Sequence, residues 1–172
     1  MTRISEHSVR VSCVLLTVLL FYGSTVGCKK PIWEDSLDSP SQLGLAVVNA
    51  LNNRDKEKLN RLRVQRETYL DWIWPAFPAS QPPSNFPGDF AWSNLNKKCN
   101  IGMKKWIARY GGQNLEFVAI RFDEPTETYK GFQLLRGTVL MLKNAAGEKG
   151  ELRILGSVVV KNDRYKLLSY ED

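Results

Sequence analysis

The chain has 172 residues, 24 Lys and Arg against 18 Asp and Glu, and a formal net charge of +6. Its basic residues never run longer than adjacent pairs, as at Lys97-Lys98 and Lys104-Lys105, and Arg54-Asp55-Lys56-Glu57-Lys58 alternates in sign. That spread is the pattern of solvated helix faces, which argues against a nucleic-acid patch and leaves weak attraction to anionic lipid head groups open.

Residues 1–27 form a leader. Arg3 and Arg10 give a basic start, Val11 to Val26 are mostly apolar, and small residues lead into Cys28. This is the layout of a secretory signal peptide. The run falls short of the roughly 20 apolar residues of a spanning helix and is interrupted by Gly23-Ser24-Thr25. A spanning anchor and secretion without lipid are the alternatives. Thr25-Val26-Gly27-Cys28 resembles the lipobox of bacterial lipoproteins, with Thr where that motif usually has Leu. The resemblance implies cleavage before Cys28, palmitate-type acylation of its thiol and a membrane-anchored protein of the cell envelope. Lys29 and Lys30 follow, with no Asp to retain the protein at an inner membrane, which implies the outer one if the source has two.

Cleavage would remove Cys13 and His7, the only histidine. The remainder then has no Ser-His-Asp or Cys-His system and no His-ligated metal site. No metal or cofactor is expected. Cys99 is left as a lone thiol without a disulfide partner, and its place on an apolar helix face suits core packing.

The segment 28–39 reads as lipidated cysteine and tether, and 40–172 as one domain. Ser39-Pro40 starts a helix whose stripe is Leu43, Ala46, Val47, Ala50 and Leu51. Asp55 caps a second helix, with Leu59, Leu62, Tyr69, Leu70 and Ile73 on its stripe, which stops at Trp74-Pro75. Pro75 to Trp92 holds five prolines among Phe77, Phe86, Phe90 and Trp92, and reads as a long loop packed on the domain. It either covers a pocket or closes the core. Ser93 caps a third helix, Asn94 to Tyr110, with Leu95, Cys99, Met103, Trp106, Ile107 and Tyr110 on one face.

Four strands follow, at Leu115–Phe122, Thr128–Leu142, Leu152–Val160 and Tyr165–Tyr170. Asn144-Ala-Ala-Gly147 and Asn162-Asp163 are hairpin turns, and Gly131, Gly137 and Gly156 mark bends. Helices followed by an antiparallel meander make an α+β fold. The helix pair Leu43…Leu51-Asn-Asn-Arg-Asp55…Leu59…Leu62, the later helix and the curled sheet resemble the nuclear transport factor 2-like superfamily. That resemblance implies a cone-shaped domain with a cavity between sheet and helices, and Phe90 to Trp92 as the remnant of a strand.

Tyr69, Trp72, Trp74 and Trp92 are candidates to bind an apolar small molecule or an envelope protein, with Arg66 and Arg136 to pair a carboxylate. The same rings could simply fill a core that no disulfide supports. A His-independent enzyme of the ketosteroid isomerase or dehydratase type would instead need a carboxyl of raised pKa beside a tyrosine. Asp71, Asp89 and Asp123 are the available aspartates, with Tyr69, Tyr129 or Tyr170 as donors, and surface or capping roles compete for all three. An envelope scaffold is the remaining reading.

Overall fold

Ser39 is extended and its hydroxyl accepts from the Gln42 N–H at 3.1 Å, while Pro40 takes the first helical position, where no donor is required. These residues open α1 (Pro40–Asn52) in a computed structural model that describes residues 33–172. Leu43, Val47, Val48, Ala50 and Leu51 of α1 are buried. Asn52 ends it by a two-way bond, its side-chain amide donating to the Leu115 carbonyl and accepting from the Leu115 N–H. Asp55 caps α2 (Lys56–Arg61), accepting from the Lys58 N–H at 2.8 Å.

The helical stripe through Ile73 does not form one helix. Residues 62–64 leave the helix to pair with the chain near the C-terminus: Leu167 N–H donates to the Leu62 carbonyl and Val64 N–H to the Leu167 carbonyl, at 3.0 and 2.8 Å. Backbone bonds to a sheet edge replace intrahelical ones, and long-range pairing overrides the local periodicity. Helical turns resume as α3 (Arg66–Thr68), a π-helical stretch Tyr69–Ile73, and short 3₁₀ turns at Trp74–Ala76 and Pro78–Ser80.

The last long helix, α4 (Gly88–Tyr110), begins earlier than Ser93 implies. Ser93 lies within it, and Phe90 to Trp92 are helical, not the remnant of a strand. Pro87, extended at the cap, sets the start without a side-chain acceptor. Cys99, Met103 and Trp106 are buried along one face, as the spacing of that face requires. Gly102 lets α4 approach the C-terminal segment: a Cβ there would stand 2.3 Å from the Glu171 carbonyl oxygen. One turn on, Trp106 Nε1 donates to that same oxygen at 2.6 Å. Gly102→Ala gains helix propensity of about 1 kcal/mol and meets overpacking of about 1–3 kcal/mol. The expected net is a destabilisation of about 1 kcal/mol, read from the midpoint of urea unfolding; a more stable variant would contradict the close approach.

The strands are β1 (Glu116–Phe122), β2 (Glu127–Tyr129), β3 (Phe132–Leu135), β4 (Thr138–Lys143), β5 (Lys149–Leu152), β6 (Leu155–Lys161) and β7 (Arg164–Tyr170). They pair antiparallel in two sheets, β1-β4-β5 and β2-β3-β6-β7. The expected long strands therefore bend. Thr128–Leu142 is not one strand: it reverses at Lys130-Gly131, where β2 turns back to pair with β3, and breaks again at Arg136-Gly137, where Gly137 has φ +62°; the third strand breaks at Arg153-Ile154. Each broken strand passes from one sheet to the other, so the meander order survives across the crease. Asn162 and Asp163, both at positive φ, turn β6 into β7 as a two-residue hairpin. The fold is α+β, helices followed by antiparallel sheets.

The residues read as a tether dock from Trp33 onward. Leu37 and Tyr165 exchange both backbone bonds, at 3.0 and 2.8 Å, and Ser36 is buried. Together with residues 62–64, this covers the outer edge of β7, which would otherwise present unpaired backbone groups.

Candidate functional site

The β2-β3-β6-β7 sheet is covered on both faces. Val158 and Leu167 point into the main core with Leu43, Val47, Leu51, Leu59, Met103 and Leu140. Phe132, Leu134, Val159 and Leu168 point the other way, onto Val64, Tyr69 and Ile73. The alternation of side chains along each strand produces this division. Because residues 62–64 are pinned to β7, the π-helical stretch behind them is laid across the second face. Tyr69 and Ile73 turn inward there, with Trp72 and Trp74 half-buried at the margin.

Three of the four candidate rings meet. Tyr69 stacks on Trp74 with centroids 5.9 Å apart and contacts Trp92 at 5.4 Å. Trp72 lies on the flank, edge-on to Phe132 at 5.1 Å and to Trp33 at 5.3 Å, with the Lys161 ammonium 4.1 Å from its ring centre. Burial pushes the Tyr69 hydroxyl up to about 12. The chain from Trp74 continues the layer through Phe77 and Phe86, and Phe86 packs edge-on to Phe90 at 5.3 Å. Phe86 and Phe90 are 41% and 56% exposed. The layer thus runs from a buried tyrosine to two aromatic rings in solvent.

Arg66 borders this layer and is ion-paired with Asp89 of α4. Arg136 is elsewhere. Its Nε lies 2.7 Å from Glu127, beside Tyr129, at the crease between the sheets. There it lines a polar cleft of about 260 Å³ with Glu124, Arg153 and Glu171. The four candidate rings line neither this cleft nor the other three found along the strands, of about 200, 240 and 320 Å³.

Of the aspartates, Asp89 faces Arg66, and Asp123 is held by Arg121 and Arg153 at 2.8 and 2.5 Å. Hydrogen bonds from those two arginines hold the Asp123 carboxyl below its ordinary range. Asp71 is exposed. Tyr170 donates to the Leu59 carbonyl at 2.8 Å, and Tyr129 donates to Glu127. Cys99 is a buried free thiol, its pKa raised by burial, with Sγ 4.0 Å from the Leu168 carbonyl oxygen. Cys28 lies outside the described residues.

Sequence reasoning passed over Arg63, the largest fully buried side chain of the described residues. The signal was present: Leu62-Arg63-Val64 alternates, and the helical stripe loses its period there. Among the described residues, no group of His, Cys, Asp and Glu could hold a metal ion, and no helix is long and apolar enough to cross a membrane. The chain matches no model of a known protein family, no characterised protein and no solved structure.

Proposed function

We propose that this chain is a lipid-anchored module of a bacterial cell envelope that docks a protein partner on the aromatic layer between Tyr69 and Phe90. The leader ending in Thr25-Val26-Gly27-Cys28 supports the anchor. Acyl chains at Cys28 contribute about 0.8 kcal/mol per buried CH₂, so two or three of them hold the domain firmly. Five residue steps separate Cys28 from Trp33, which caps the reach of the tether at about 18 Å. The docking layer would then work close to a membrane surface, the outer one where there are two. The finer fold reading is a nuclear transport factor 2-like cone. The packing of α1, α2 and α4 on antiparallel strands whose course breaks at Gly137 supports it.

One observation favours a protein partner over an apolar small molecule. Tyr69, Trp74 and Trp92 fill their space with one another, while Phe86 and Phe90 stand exposed as a pair. Aromatic rings beside polar groups are the side chains that interfaces favour. An enzyme of the isomerase type would ask for a carboxyl of raised pKa beside a tyrosine, and Asp89 and Asp123 are engaged by arginines instead.

Two substitutions separate the halves of the proposal. Cys28→Ser is expected to move the protein from the membrane to the soluble fraction; unchanged fractionation would refute the anchor. A photo-crosslinking residue at position 90 is expected to give one discrete adduct in cells, and Phe86→Ser should abolish it with little change in stability. No adduct from a folded, correctly located protein would refute the docking layer.

A further inference from the structure

Beyond partner docking, we propose that Arg63 is an internal binding site for a small monovalent anion, chloride or a one-carbon carboxylate. Arg63 is 1% exposed. Its Nη1 donates to the side-chain oxygens of Asn60 and Asn96, both at 3.3 Å, which fixes the guanidinium plane between α2 and α4. The Trp92 ring lies 5.9 Å from the guanidinium carbon. No protein atom accepts from Nε or Nη2, both of which are buried. Those two atoms form the edge whose parallel N–H bonds match a carboxylate or chelate a halide.

The electrostatics point the same way. The groups that act on Arg63 are Cys99 and Tyr170, and no aspartate or glutamate is among them. Burial pulls its pKa down, but a guanidinium keeps its proton in proteins. An anion held there would supply the counter-charge that the surrounding groups do not. The two free donors are side by side, and neither has room beside it for even a water molecule, so a small ion would enter only by displacing the Trp92 or Asn96 side chain. Asn60 and Gln65 are exposed, and Trp92 and Asn96 half-buried, so the fork lies one layer below the surface. An anion there would tie residues 60–64, α4 and the edge of β7 together.

Unfolding temperatures in sodium chloride and in sodium gluconate of equal ionic strength test the site, because gluconate is too large to enter. Wild type should show a saturable rise in chloride over gluconate, as ligand linkage requires. Arg63→Met should lose that rise, while Arg61→Met, an exposed change two residues away, should keep it. Equal curves in the two salts for the wild type would overturn the proposal. Should Arg63→Met fail to fold, crystals of the wild type grown in bromide decide. An anomalous peak bridging Nε and Nη2 supports the site, and a water or a protein oxygen in that place overturns it.

Discussion

Leu167→Ala is expected to destabilise the domain by about 3–5 kcal/mol, the upper part of the range for truncating a buried leucine. Leu167 is fully buried in the main core and pairs with Val158 in the ladder between β6 and the edge strand β7. Its backbone also holds residues 62–64 through two hydrogen bonds, so the site offers little freedom to collapse around the cavity. The loss should appear as a lower urea midpoint with an unchanged slope. Amide exchange at Val64, whose N–H is bonded to Leu167, should speed up with it. A cost below about 1 kcal/mol would show that the edge segment does not depend on this contact.

Alkaline pH should unfold the protein through its buried tyrosines. Tyr69 is 4% exposed, and burial raises its hydroxyl to about 12 from 10.0. Tyr170 is raised in the same direction and for the same reason. In the unfolded chain these groups lose their protons near pH 10, while the native state still holds them. The unfolded state then binds fewer protons, and stability falls as pH rises. For Tyr69 the fall runs from about pH 10 to about 12 and amounts to roughly 3 kcal/mol, two pKa units. Lys166 opposes it: burial lowers its pKa, so its cost to the native state fades as pH climbs toward the ordinary lysine range. Denaturation of wild type and Tyr69→Phe across this window isolates the tyrosine. The phenylalanine variant should lose less stability, and identical pH profiles would show that Tyr69 titrates normally.

The fold was legible where local chemistry and tertiary packing agree. Ser39, Pro40 and Asp55 mark helix starts because a side-chain oxygen or a missing N–H is used there. Asn162-Asp163 marks a hairpin because both residues tolerate positive φ. The α4 face from Cys99 to Trp106 is buried as its spacing demands. Legibility failed where a distant strand decided the outcome. The alternation Leu62-Arg63-Val64 interrupts the helical stripe, but nothing local names Leu167 as the partner of those residues, so the stripe through Tyr69 reads as one helix. Ser93 looked like a cap because its type suits one, yet Pro87 begins the helix. Of the candidate site, Tyr69, Trp74 and Trp92 came together, while Arg136 lies at the crease with Glu127. Arg63 escaped notice because an arginine is ordinarily a surface residue, and only the pairing of its own backbone draws it inside.

The clasp between Leu37 and Tyr165 would matter most under load. A tug on the N-terminal side of Trp33 would meet in turn the Trp33–Trp72 contact, Lys166 donating to the Glu34 carbonyl, Arg164 on Ser36 and Asp38, and the two Leu37–Tyr165 backbone bonds. All but the first of these grips end on β7, so force applied at that end would load the edge strand of the sheet before it reached α1.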